Sequence, residues 1–104
     1  MTANALGLLG LARKAGKLEI GEEPVDAACR GRKARLVLLA ADAAENTAGK
    51  AQRLAKVSNA RCVRIPTTKE ALGGALGRRS CAVAALTDEG FAKALLGKLG
   101  EETL

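Results

Sequence analysis

Five consecutive apolar residues, Leu36 to Ala40, constrain the fold of this 104-residue chain more than any other feature. The basic residue Arg35 precedes them, the acidic residue Asp42 follows, and the pair Asn46–Thr47 comes next. A short continuous apolar run with such boundaries is typical of a buried strand that leads into a helix. The sequence therefore predicts a central strand at this point.

Helix and strand patterns alternate along the rest of the chain. The predicted strands are Lys17–Ile20, Leu36–Ala40, Cys62–Ile65 and Ala82–Leu86, with Cys62–Ile65 taken as a second core strand. Five helices accompany these four strands. Such alternation predicts an α/β fold, a three-layer α-β-α sandwich with a four-stranded mixed sheet, in a single domain over residues 1–104.

Polar residues and glycines mark the predicted helix ends. Asp42, Thr67 and Asp88 each stand where a side chain caps the start of a helix, and Asp42 and Thr67 are followed three residues later by Glu. The second helix is predicted to start at Glu22 and to end at Gly31, because glycine is the commonest residue just past a helix.

The composition argues against catalysis and against a metal site. The chain has one Phe, no Tyr, no Trp and no His, so its core must be aliphatic and no imidazole can act as a base or ligand. The three cysteines, Cys29, Cys62 and Cys81, follow no zinc spacing and are predicted to be buried reduced thiols. We therefore expect no enzyme activity, no cofactor, no metal and no small-molecule substrate.

The hydropathy pattern gives no sign of export or of membrane insertion. The chain shows neither a secretory signal nor an apolar run long enough to cross a bilayer. A cytoplasmic monomer without a membrane partner is the expectation.

The charge is strongly basic and unevenly spread. The net charge is +6, but between Arg30 and Arg79 twelve Lys and Arg face three acidic residues, which gives this segment +9 and the remainder −3. An excess of this size favours an anionic partner, most often nucleic acid, over a merely solvated face. The candidate RNA-binding residues at its start are Arg30, Lys33 and Arg35.

Two turns are further candidates. Lys17, Gly21, Glu22 and Glu23 belong to a turn that leads into a helix N-terminus, where backbone N–H groups can bind phosphate or base edges. The pair Arg78–Arg79 lies just past a helix end and forms a second candidate loop. Ordinary turn chemistry and complementation of helix dipoles are the alternative explanations.

Several segments, taken together and in order, resemble the kink-turn RNA-binding ribosomal-protein superfamily. This superfamily includes the archaeal large-subunit protein seven-Ae and the eukaryotic protein thirty-e, and the chain looks closest to its bacterial YlxQ-like branch. The matching segments are Leu8–Lys17, Gly21–Glu23, Ala34–Asp42 with Asn46–Thr47, Leu72–Gly73 with Gly77, and Thr87–Ala92.

The resemblance implies RNA binding through two segments. In that family the turn after the first strand reads the G·A pairs of the kink, and a loop before the last strand covers an extruded base. Here these correspond to Gly21–Ala27 and Gly77–Cys81. Where family members typically carry Asn, Glu and Lys in the first turn, this chain has Glu23, Pro24 and Ala27.

Three hypotheses follow from these observations. The first is a ribosome- or translation-associated RNA-binding protein. The second is a protein–protein interaction module that kept the fold but lost the kink-turn contacts. The third is an RNA-docking domain of a larger protein. Salt-sensitive RNA binding distinguishes the first from the second.

Overall fold

The computed structural model describes residues 2–103, with side chains as far as Gly100. In this part of the chain, helices and strands alternate as the sequence predicts. The helices are α1 (Ala3–Lys14), α2 (Glu22–Arg30), α3 (Glu45–Val57), α4 (Lys69–Ala75) and α5 (Glu89–Thr103). The strands are β1 (Leu18–Ile20), β2 (Leu36–Leu39), β3 (Arg61–Arg64) and β4 (Val83–Leu86).

The four strands form one mixed sheet in the order β1-β4-β2-β3. β4 runs antiparallel to both β1 and β2, with Ile20 and Leu38 each opposite Ala84. β2 and β3 are parallel, and α3 connects them. This is the βαβ connection that a parallel pair requires.

Helices cover both faces of the sheet, which confirms the predicted three-layer α-β-α sandwich. One core contains Leu36 and Leu38 of β2 with residues of α1, α4 and α5, and the other contains Val37 and Leu39 with residues of α2 and α3. All four β2 residues are buried. Because successive strand residues point to opposite faces, a strand covered on both sides must be apolar throughout.

β3 differs from its prediction as a core strand. Within residues 2–103 it pairs with β2 alone and lies at the edge of the sheet, where Arg61 and Arg64 are exposed and Cys62 and Val63 are half-buried. Terminal cations are a common protection of an edge strand against unwanted pairing. The buried residue of this segment is Ile65, which follows the strand.

Two of the three predicted caps differ from their predictions. Asp88 Oδ2 accepts from the Phe91 N–H at 2.9 Å and caps α5, as predicted. Asp42 does not cap α3; its carboxylate accepts from the Lys69 N–H at the start of α4, at 2.7 Å. Thr68, and not Thr67, is the N-cap of α4. Local spacing cannot indicate a cap that comes from a distant loop.

α2 ends at Gly31, as predicted, but its left-handed residue is one position further along. Gly31 is the C-cap, but its φ is −79°, and the left-handed residue is Arg32 with φ +58°. The Arg32 N–H donates to the Cys29 carbonyl and the Lys33 N–H to the Ala28 carbonyl. These are the two hydrogen bonds of a Schellman ending, here with an arginine where glycine is usual.

The three cysteines are free thiols. Cys29 and Cys81 are buried, as predicted, whereas Cys62, also predicted to be buried, is only half-buried because its strand lies at the sheet edge. Burial raises the pKa of all three, because a thiolate loses its hydration inside the protein. They are therefore protonated at neutral pH. Among the described residues, no helix combines the length and the apolar character needed to cross a membrane.

Candidate nucleic-acid interface

The strand directions divide the predicted site residues between the two ends of the sheet. We call the end where β1, β2 and β3 finish and β4 begins the turn end, and the opposite one the basic end. Gly21, Glu22 and Glu23 follow β1 and lie at the turn end, whereas Arg35 precedes β2 and lies at the basic end. The nine residues of α2 join the two ends and span about 13 Å.

The turn end brings together the two segments that the resemblance singled out. The Gly21 N–H donates to the Val83 carbonyl at 3.0 Å, so the first turn lies against the start of β4. The loop Gly77–Ala82 leads into the same strand, and the Cys81 N–H donates to the Lys69 carbonyl at 2.9 Å. The first turn is therefore bonded to Val83, the residue that directly follows the second segment in the chain.

The start of α2 leaves backbone donors for a ligand. Gly21 is its N-cap at φ +100° and ψ 168°, a conformation that is essentially restricted to glycine. Among the described residues, no side chain caps this helix. Pro24 has no N–H, so Glu22 and Glu23 supply the outward donors of the first turn. Their carboxylates are exposed and complement the helix dipole.

The loop after α4 is placed by one close backbone approach. A Cβ on Gly73 would lie 2.5 Å from Ser80 Cα, so only glycine permits this packing. Gly77, at φ +72°, ends α4, and the Arg78 N–H donates to the Gly73 carbonyl at 2.7 Å. Arg78 and Arg79 are exposed on this loop. The sequence anticipated the loop and its cations but not the fixed approach of Ser80.

Arg64 organises the third segment of the turn end. Its guanidinium donates to the carbonyls of Ala40, Ala41 and Ala43 at 3.3, 3.0 and 3.2 Å. These carbonyls follow β2, so the arginine holds the β2–α3 connection in shape. It also lies 4.0 Å from Glu45. Arg64 was not among the predicted site residues, because its partners come from a different strand.

The basic end collects the other four predicted site residues. The Arg35 N–H donates to the Leu86 carbonyl at 2.7 Å, and the Thr87 N–H donates to the Lys17 carbonyl at 2.9 Å. Arg30 and Lys33 flank the left-handed turn after α2. All four cationic side chains are exposed. The structure therefore groups Lys17, Arg30, Lys33 and Arg35 away from Gly21.

Few of these cations are neutralised within the protein. The ion pairs among the described residues involve two acids, Asp26 with Arg30 and Lys50, and Glu45 with Arg64. The guanidinium of Arg30 is also hydrogen-bonded to Asp26, one helical turn away. The arginines and lysines outside these pairs can contact an anionic partner without first breaking one of these ion pairs.

Sequence patterns missed a groove at the basic end. Arg35, Asn59, Arg61 and Lys93 line it, together with Glu89. They come from the segments before β2, after α3 and after β4, so no local motif could reveal them. Within the described part of the chain, no group of His, Cys, Asp and Glu side chains could hold a metal ion.

The chain matches one protein family and a solved structure over most of its length. The model of the ribosomal protein L7Ae/L30e/S12e/Gadd45 family matches residues 3–96. A structure described as a protein with unknown function from Bacillus halodurans C superposes with a TM-score of 0.85 at 30% identity. The match covers 95% of this chain and 99% of that one.

Two similar relatives carry the same descriptive name. The RNA-binding protein YlxQ of Bacillus subtilis (strain 168) is 38% identical over 96 residues, which cover 88% of this chain and 91% of that protein. The RNA-binding protein YlxQ of Enterococcus faecium is 37% identical over 89 residues, which cover 86% and 84%.

Proposed function

Because the chain belongs to the ribosomal protein L7Ae/L30e/S12e/Gadd45 family, we propose that it is a non-catalytic RNA-binding protein associated with the ribosome or with translation. Residues 1–104 act as one domain and need no cofactor. The partner is a structured RNA with a kink-turn-like bend. The name of the two YlxQ relatives, RNA-binding protein, supports this proposal.

The observation that carries the proposal is the meeting of two segments at the turn end. The Gly21 turn offers the N–H groups of Glu22 and Glu23. The loop Gly77–Ala82, which leads into the Val83 that the turn contacts, carries two exposed arginines. Backbone donors at a helix N-terminus suit a phosphate or a guanine edge. Arginines add charge-assisted contacts to the backbone of a bent RNA.

The glutamates of the first turn are compatible with this role. A carboxylate cannot approach a phosphate favourably, but it accepts hydrogen bonds from base amino and imino groups. Glu23 is thus directed to a base edge, while the two arginines take phosphates. Ala27, on the outer surface of α2, is too small to add a polar contact.

The test measures binding to a labelled kink-turn RNA hairpin by fluorescence anisotropy. The double variant Arg78→Glu, Arg79→Glu should bind at least tenfold more weakly than the parent, because two favourable charges become repulsive. The matched control, Lys14→Glu with Lys98→Glu, changes the net charge equally on α1 and α5 and should bind within about twofold of the parent.

Two outcomes would contradict the proposal. Equal weakening in both double variants would mean that only net charge matters and that the loop does not touch the RNA. A parent protein that binds no structured RNA would favour the protein–protein interaction module.

A further inference from the structure

The basic end is built around an arginine in an unfavourable conformation. Arg32 adopts φ +58°, although Gly31 beside it has an ordinary φ. A left-handed non-glycine residue costs about 1 kcal/mol or more, and such residues concentrate at functional positions. The exposed Arg32 follows the end of α2 and lies in the chain between two further exposed cations, Arg30, the last residue of the helix, and Lys33.

Hydrogen bonds fix the neighbouring segments in place. The Arg35 guanidinium donates to the Arg32 carbonyl at 3.1 Å and lies 3.5 Å from the Ala34 carbonyl, within hydrogen-bond distance. The buried Ser58 hydroxyl donates to the same Ala34 carbonyl at 2.8 Å. The turn after α3 is therefore tied to the segment before β2, and both segments border the groove.

Cations from three separate segments line that groove. Arg35, Arg61 and Lys93 are exposed there, against the one carboxylate of Glu89. Arg61 and Lys93 form no ion pair among the described residues. Three cations that line one groove match the charge of a sugar–phosphate backbone, which carries one negative charge per nucleotide.

We infer that this groove is a second RNA-binding surface, which takes the phosphate backbone of a separate RNA segment, so that the protein bridges two pieces of RNA. The inference rests on the proposed function and extends it. The basic end faces away from the Gly21 turn, across the sheet and about 13 Å along α2. Since the length of α2 exceeds the Debye length of about 8 Å at physiological ionic strength, we expect charges at the two ends to be largely screened from each other.

The test asks whether two RNAs bind at once. The protein is first saturated with an unlabelled kink-turn hairpin, and a labelled RNA duplex of about 16 base pairs without a kink, the length that a double-stranded-RNA-binding domain spans, is then titrated into the complex. A native gel distinguishes the ternary complex from exchange. The parent should form the ternary complex.

Reversing the charge of two groove residues tests whether the duplex binds in the groove. The variant Arg61→Glu with Lys93→Glu leaves Arg35 and its hydrogen bonds intact, and both positions are exposed, so the fold is retained. It should bind the duplex at least tenfold more weakly but bind the hairpin within about twofold of the parent. Its salt slope for duplex binding should fall by about 0.7–0.9 for each phosphate that the variant no longer neutralises.

The controls separate the two claims. The variant Lys14→Glu with Lys98→Glu should bind both RNAs within about twofold of the parent. The variant Arg78→Glu with Arg79→Glu should bind the hairpin at least tenfold more weakly and bind the duplex as the parent does. Displacement of the hairpin by the duplex, or unchanged duplex binding in the groove variant, would overturn the second surface while leaving the proposed function intact. A parent that binds neither RNA would overturn both.

Discussion

Gly73 shows how a single residue places a candidate RNA-binding loop. Its Cα hydrogens face the backbone of Ser80, where a Cβ would lie 2.5–2.8 Å from three backbone atoms. Gly74, the next residue in the same helix, has nothing within 4 Å of such a Cβ. Of the two adjacent helical glycines, Gly73 is thus required by the packing and Gly74 is not, so the same substitution at both positions tests the contact.

Gly73→Ala should destabilise the protein by about 1–3 kcal/mol, because backbone atoms must move to admit the methyl group. Gly74→Ala should stabilise it by about 0.5–1 kcal/mol, because alanine loses less conformational entropy in a helix. Urea unfolding followed by far-UV circular dichroism measures both. Equal effects at the two positions would show that Ser80 is not held against α4.

The buried thiols predict an alkaline loss of stability. The pKa of Cys29 and of Cys81 is raised by burial in the folded chain, so unfolded thiols ionise at lower pH than folded ones. Their contribution is complete below the unfolded pKa of about 8.5 and is lost as the pH rises toward the folded values.

The free energy of unfolding should therefore fall as the pH rises above about 8, where unfolded thiols begin to ionise. Cys29→Ala with Cys81→Ala should flatten that fall, although cavities lower its stability at every pH. The chain has no Tyr to titrate in this range, which simplifies the measurement. A slope as steep as the parent's in the double variant would place its origin in groups other than Cys29 and Cys81.

Among the secondary-structure elements, the turn at the end of α2 holds an exposed cation, Arg32, in a left-handed conformation that costs stability. Arg32→Gly should raise the free energy of unfolding by about 0.5–1 kcal/mol, since glycine adopts positive φ without strain but is more flexible when unfolded. Arg32→Ala removes the same charge and keeps the strain, so its stability should match the parent. Thermal unfolding of the three proteins provides the comparison, and identical stabilities would mean that the turn is not strained.

The start of α2 allows a gain-of-function prediction. Glu23→Asn with Ala27→Lys should strengthen binding to a kink-turn RNA by about 1–3 kcal/mol, because Asn supplies both a donor and an acceptor and Lys adds a charged contact. Both positions are exposed, so the fold should tolerate the changes. A straight duplex is the control, and an equal gain for both RNAs would indicate a charge effect without recognition of the kink.

Across the whole molecule, the positive charges that are clustered in one segment of the sequence are distributed over two ends of the folded domain. The segment from Arg30 to Arg79 carries +9, yet its members lie at both ends of the sheet. Exposed arginines and lysines with few internal ion pairs release counterions when they meet phosphates.

RNA affinity should therefore fall by about a hundredfold or more between roughly 50 and 200 mM salt, as expected for several phosphate contacts. Lys33→Glu with Arg35→Glu should reduce the slope of log affinity against log salt for the straight duplex. Anisotropy titrations over a series of salt concentrations give the slopes. An affinity that does not depend on salt would refute phosphate-driven binding.

The order of elements and the three-layer fold follow from local sequence patterns. The apolar run from Leu36 is continuous because its strand is covered on both faces, and such a pattern is local enough to read directly. The same holds for the Asp88 cap, whose partner is three residues away. Local spacing suffices wherever the interacting groups are neighbours in the chain.

The meeting of distant groups, in contrast, depends on the three-dimensional structure. In the folded chain Asp42 caps α4 and not α3. β3 lies at an edge of the sheet, and the Ser80 backbone packs against Gly73. The fold also divided the predicted site residues between two ends and added Arg61 and Lys93 to one of them. These features depend on strand order and on contacts between segments far apart in sequence, which no local periodicity encodes.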